Sequence, residues 1–154
     1  MGRRDISMSE DEIAILLHEG RDLQVATNGH DGYPHLTTLW YSIVDGAVSF
    51  RSFTKSQRIV NLQRDPRLTV LVEAGEDYSE LRGVMIQGTA ALDADPDRVM
   101  ATYLAVTRKM QGPDVTVEAV EAMFGRFRDK NTVVTVHPDR IISWDHRSLT
   151  GGAS

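Results

Sequence analysis

The chain has no cysteine in 154 residues. That excludes disulfides, thiolate nucleophiles, thiolate-bound zinc and iron–sulfur clusters together. Aromatics are scarce at 6%, so a flat ligand would have to be held largely by backbone and aliphatic side chains. No apolar run approaches the roughly 18 residues of a membrane span, and no signal-type apolar stretch follows Met1-Gly2-Arg3-Arg4. The myristoylation pattern also fails, because Ile6 stands where Ser or Thr is required. Basic residues number 17 against 22 acidic ones, and the net charge of −5 argues against a nucleic-acid partner. A single cytoplasmic domain without membrane or nucleic-acid partners is the expectation, since this length suits one core.

Chemistry-bearing motifs are equally sparse. His18, His30, His35, His137 and His146 form no ligand motif such as HExxH, so no metal site is expected. There is no GxSxG, no Walker loop and no GxGxxG after a strand. With no nucleophile borne by the protein, an enzyme of this sequence would rely on a cofactor.

What is present reads as short strands with helices near the ends. Residues 1–8 are expected to be a flexible leader, 9–149 one domain and 150–154 a flexible tail. Ser9-Glu10-Asp11-Glu12 is a capping box that opens an amphipathic helix with Ile13, Leu16 and Leu17 inward, and Gly20 is its expected C′ stop. Leu23, Val25 and Thr27 alternate as in a strand. His35–Val44 is a second strand, and Asp45-Gly46 is a hairpin signal leading to Val48, Phe50 and Ser52. Residues 55–64 read as a helix ended by Asp65-Pro66. Leu68–Val72 is an apolar run expected to be covered on both faces. After an acidic loop at 73–80 comes a strand from Arg82 to Leu92. Asp95-Pro96 starts a helix with Val99, Met100, Tyr103 and Leu104 on one face, and another helix spans 116–128. Strands at 132–136 and 141–144 close the chain. Six or so strands in local hairpin order predict an α+β antiparallel barrel.

One segment breaks the charge pattern. Residues 51–67 hold Arg51, Lys55, Arg58, Arg64 and Arg67 against Asp65 alone, a local charge of +4 that leaves −9 for the remainder. These cations fall where a strand leads into a helix. There they oppose the helix dipole unless an anion sits among the first N–H groups and the hydroxyls of Thr54 or Ser56. A phosphate site is one meaning of this cluster, and an ordinary solvated helix is the other. The Thr-rich strand His35–Tyr41 with Trp40 is a second candidate surface, or plain barrel wall.

Gly32-Tyr33-Pro34-His35-Leu36-Thr37-Thr38-Leu39-Trp40-Tyr41, Asp45-Gly46, Phe50–Ser56 and Arg58–Arg67 together resemble the pyridoxamine 5′-phosphate oxidase-like split-barrel proteins. More narrowly they are similar to the actinobacterial flavin/deazaflavin oxidoreductases that use coenzyme F420 or FMN. Val84–Ala90 and Ile142-Ser143-Trp144-Asp145 fit later segments of the same pattern, and the resemblance spans about residues 9–149.

The resemblance implies a six- or seven-stranded Greek-key split β-barrel of the FMN-binding type with peripheral helices. It implies a homodimer with its cofactor sites at the subunit interface. Arg51, Ser52, Lys55, Ser56 and Arg58 would bind the cofactor phosphate, with Asn61 in support. The ring would lie on the Thr37, Thr38, Leu39 and Trp40 backbone, and Gln87 or Trp144 of the partner chain would close the pocket. The expected reaction is hydride transfer from reduced F420 to a small conjugated substrate, with the proton from solvent, Tyr41 or His35. F420 differs from FMN in carrying an anionic oligoglutamyl tail, which Lys55 would attract. An FMN-dependent oxidoreductase, a non-catalytic flavin, F420 or haem carrier, and an inactive scaffold are the alternatives.

Overall fold

The structure is a computed structural model that describes residues 5–150. Its elements run α1 (Glu10–Glu19), β1 (Asp22–Asn28), β2 (Pro34–Trp40), β3 (Ser42–Val44), β4 (Ala47–Phe53), α2 (Gln57–Arg64) and β5 (Arg67–Ala74). They continue as β6 (Arg82–Asp93), α3 (Pro96–Gln111), α4 (Val117–Phe124), β7 (Asn131–Asp145) and α5 (Arg147–Thr150). All seven strands form one sheet in the order β2-β1-β5-β6-β7-β4-β3, and every pairing is antiparallel.

The edge strands of that sheet, β2 and β3, are consecutive in sequence and joined by Tyr41 alone. A sheet whose two edges lie one residue apart has to curl on itself, which makes a barrel. The expected single strand 35–44 is therefore two strands, broken where the chain passes from one edge to the other. Tyr41 is fully buried at that point and its hydroxyl donates to the Leu17 carbonyl of α1. Closure is incomplete. β3 pairs only with residues 47–49 of β4, so the 50–53 half of β4 has no strand beside it on that edge. The barrel is split there.

Alternation fills the interior. Leu23, Val25, Phe50, Val70, Val72, Val84, Ile86, Val134 and Val136 are buried on the inner face, with Ile59 and Leu62 of α2 and Leu16 of α1 plugging the ends. A smaller cluster of Val99, Tyr103, Val120 and Val133 attaches α3 and α4 to the outside of β4 and β7. The run at 68–72 is covered on one face only, because Leu68, Val70 and Val72 are buried while Thr69 and Leu71 remain half-exposed. β7 is continuous through Pro138, which has no N–H to give the ladder. A register shift opposite Gln87/Gly88 accommodates it, and Asp139 is left as the extra residue.

Turn chemistry explains the boundaries. Asp45 and Gly46 both have positive φ, 51° and 79°, as a tight hairpin turn of the right twist needs. The Ser9 capping box forms in full. Gly20 does not end α1 in the left-handed form, having φ −62°. Glycine is required there for space, since a Cβ would stand 2.4 Å from Val72 and 2.7 Å from the Tyr41 hydroxyl. The helix expected at 116–128 is α4 followed by a single 3-10 turn at Gly125–Phe127. Residues 1–4 and 151–154 of the expected leader and tail lie outside the described residues. Met8, at the end of that leader, is a core residue whose N–H donates to Ser143.

Candidate functional site

α2 crosses the split. Its N-cap Ser56 accepts the Ile59 N–H, which sets the helix start and aims Arg58 into the gap between β2 and β4. Arg58 Nη2 and Nε donate to Thr37 Oγ1 of β2 at 2.7 and 3.3 Å, while Nη1 donates to Ser52 Oγ of β4 at 2.7 Å. Ser52 and Ser56 hydroxyls lie 2.9 Å apart, so Ser56 is linked to the guanidinium through Ser52. Two hydroxyls bond this cation, and among the described residues it has no carboxylate partner.

Arg51 faces the same space from the outer side of β4. Its guanidinium lies 4.2 Å from the Tyr103 ring centroid and donates to Asn131 Oδ1 at 3.4 Å. Asn131 is buried and its amide is fixed by the Phe127 carbonyl and the Tyr103 hydroxyl. Burial pushes both guanidinium groups below their ordinary pKa, and Arg51 lowers Arg58 further by like-charge repulsion. Among the described residues the cations with carboxylate partners are Arg67, Arg98, Arg128 and Arg147, so neither Arg51 nor Arg58 is neutralised. Two partly desolvated positive charges facing one cavity favour an anion strongly.

That cavity has a volume of about 290 Å³ and is lined by Thr38, Leu39, Trp40, Arg51, Ser52, Phe53, Arg58 and Val106. Of the residues expected from the sequence, Thr37, Thr38, Leu39, Trp40, Arg51, Ser52, Ser56 and Arg58 thus gather at the split. Lys55 is exposed on the loop before α2. The remaining basic residues of the +4 segment are occupied elsewhere: Arg64 donates to the Asn28 carbonyl, and Arg67 chelates Asp65. Thr54, expected to offer its hydroxyl to an anion, is bonded instead to Thr132 at 2.8 Å.

Other expected residues lie apart. Asn61 is buried beneath α2, where its amide donates to Thr27 and braces the helix on β1. Tyr41 is turned into the core. Burial raises its phenol pKa well above the ordinary value, and the hydroxyl is already engaged, so it is not placed to supply a proton at the cavity. His35 borders a separate depression with Gln57 and Asn61, and its Nδ1 is buried without a hydrogen-bond partner among the described residues. Gln87 and Trp144 lie on the outer sheet face. Gln87 borders a larger depression of about 510 Å³ with Asn28, Arg67 and Arg140, where Arg67 is already neutralised by Asp65. Sequence reasoning missed Tyr103, Val106 and Asn131. They reach the site from α3 and β7, far from Arg51 along the chain, and only Phe53 carried a signal by lying inside the basic segment.

A curled seven-stranded antiparallel sheet with an α-helix across its split is the split-barrel architecture, here with an anion-ready cavity in the split. Residues 9–145 match the family described as pyridoxamine 5′-phosphate oxidase, and the chain belongs to that family. A conserved hypothetical protein of Mycobacterium tuberculosis is similar at 38% identity over 100% of this chain and 95% of its own, with a TM-score of 0.88. A protein described as an F420 reductase is 21% identical over 82% of this chain and 93% of its own, TM-score 0.64. A heme storage protein of Vibrio cholerae is 13% identical over 87% of this chain and 94% of its own, TM-score 0.63. The last two share the fold. No curated protein matches the sequence. Among the described residues no helix is long and apolar enough to cross a membrane.

Proposed function

We propose that this chain is a coenzyme F420-dependent oxidoreductase that acts on a small conjugated organic substrate as a homodimer. The observation that carries a phosphate-bearing cofactor is the pair of guanidinium groups, Arg51 and Arg58, left among the described residues without carboxylate partners at a cavity that Thr38 and Ser52 also line. The residues present fit a phosphate-bearing flat cofactor. Arg58, Ser52 and Ser56 would take the phosphate beside the first N–H groups of α2. The Thr37–Trp40 backbone offers an edge strand with unpaired N–H and C=O groups for the polar rim of a ring. When bound, the deazaflavin supplies the hydride. The chain's own work is to fix the phosphate, orient the ring against β2 and exclude water with Trp40, Phe53 and Val106.

The dimer rests on the outer face of β2, β1, β5, β6 and β7. Thr38, Gln24, Leu71, Met85 and Ile142 are in register across it, and Leu36 and Trp40 on β2 are 66% and 54% exposed. Residues 69 and 71, read from the sequence as covered, are half-exposed in one chain, which a second copy would remedy. Gln87 and Trp144 lie on that same face, suitably placed to close the cavity of a partner.

FMN is a second reading, favoured by the charge count: two unmatched guanidinium groups balance a phosphomonoester dianion better than a singly charged phosphodiester. Titrating the protein with F420 and with FMN separates them, and tight FMN binding without measurable F420 binding would overturn the first reading. In either case Arg58→Ala should weaken the phosphate-bearing cofactor by about 1.5–3 kcal/mol.

A further inference from the structure

Arg51 and Arg58 share a cavity but not a chemical setting. Arg58 is embedded in hydroxyls at a helix start, a setting suited to tetrahedral phosphate. Among the described residues Arg51 has no hydroxyl partner. Its Cζ stands 4.2 Å from the Tyr103 ring centroid and it is tethered at Nη1 alone, so its other donors have no hydrogen-bond partner among the described residues. A guanidinium held against a ring by one hydrogen bond, with its remaining donors open, matches a planar carboxylate in two parallel hydrogen bonds.

The walls around Arg51 say what the rest of the ligand is. Trp40 and Phe53 are 54% and 46% exposed, and Val106 and Leu39 border the same cavity. Exposed aromatic faces beside a desolvated cation suit a molecule with an apolar, flat body and one acidic end. A phosphodiester carries one negative charge, and Arg58 with its hydroxyls accounts for it. The second positive charge is then left for another anion.

We propose that Arg51 binds a carboxylate of the substrate, so that the protein takes unsaturated carboxylic acids whose apolar bodies lie against Trp40, Phe53 and Val106. Tyr103 and Asn131 are positioning residues that hold the guanidinium for this contact. This assignment rests on the F420 reading, in which the cofactor has a singly charged phosphodiester. A carboxylate can also come from the oligoglutamyl tail of the cofactor, and tail length distinguishes the two sources.

The test is calorimetric binding of trans-cinnamate and of its neutral analogue cinnamamide to F420-loaded protein. Cinnamate is expected to bind about tenfold to a hundredfold more tightly than cinnamamide, and Arg51→Met is expected to abolish that preference. Arg51→Lys keeps the charge but loses the planar fork and the stacking, so its preference should be intermediate. That variant carries the test if Arg51→Met does not fold. Equal binding of the two probes, or a preference that survives Arg51→Met, overturns the proposal. So does an Arg51→Met loss of affinity for F420, relative to its phosphate-free deazaflavin core, that equals the loss in Arg58→Met. If longer glutamyl tails exclude cinnamate in an Arg51-dependent manner, the carboxylate belongs to the tail and the substrate assignment falls. If Arg58→Met leaves F420 affinity unchanged while the cinnamate preference persists, the cofactor reading fails and the carboxylate site stands.

Discussion

Thr37 of β2 and Arg58 of α2 meet at 2.7 Å across a gap that no strand pairing closes. Arg58 reaches Ser52 on the far side of the same gap, so a side chain does the lacing that backbone hydrogen bonds do elsewhere in the barrel. Thr37→Val keeps the shape and removes the acceptor. It is expected to weaken phosphate-bearing cofactor by about 0.5–1.5 kcal/mol with little change for a phosphate-free ring. Parallel titrations measure both, and equal losses for the two ligands would show that Thr37 acts on the ring and not through Arg58.

Tyr41 is expected to be structural. Tyr41→Phe removes the bond to the Leu17 carbonyl and should cost about 0.5–1.5 kcal/mol of stability by denaturant titration. The pH profile of turnover should not move, because the hydroxyl is engaged in the core and burial keeps it protonated. A profile displaced by this substitution would return Tyr41 to the proton-donor role.

Lys109 gives stability a pH dependence. Its ammonium lies 3.6 Å from the Tyr41 ring centroid and donates to the Leu17 carbonyl at 3.4 Å, and burial pulls its pKa from 10.5 to about 8. Between those values the unfolded chain binds more protons than the native one, so this group makes the protein more stable as pH rises from about 8 to 10.5. Thermal melts of wild type and Lys109→Met across that range should differ in slope, with the gain missing from the variant. Parallel slopes would refute the assignment.

Gly83 makes room for Trp144. A Cβ there would stand 2.3 Å from Trp144 Cζ2. Gly83→Ala should therefore displace the indole, shift tryptophan emission and cost about 1–3 kcal/mol. Because Trp144 lies on the proposed dimer face, cofactor affinity should fall as well, although Gly83 is remote from Arg58 in the chain. An emission shift with unchanged affinity would remove Trp144 from the site.

Local signals carried far. The Ser9 capping box, the Asp45-Gly46 hairpin and the alternation of β1 and β4 are decided by neighbours a few residues apart, and they appear where those neighbours put them. The basic segment was legible for the same reason, being a run of charges in contiguous sequence. Its meaning was coarser than its composition. Arg64 and Arg67 are absorbed by Asn28 and Asp65, and Thr54 by Thr132, through contacts between separate elements that spacing along the chain does not encode.

By itself the sequence determined the absence of thiol chemistry, most of the secondary elements and the concentration of positive charge at residues 51–67, because composition, periodicity and turn propensity are local properties. Tertiary structure alone decided that Tyr41 belongs to the core, that Arg51 and Arg58 are the two of the five cations that line the cavity, and that Tyr103 and Asn131 contact one of them. The physical reason is barrel closure. Curling the sheet brings β2 to β4, α3 packs over β3, β4 and β7, and desolvation then gives those two charges their need for a partner.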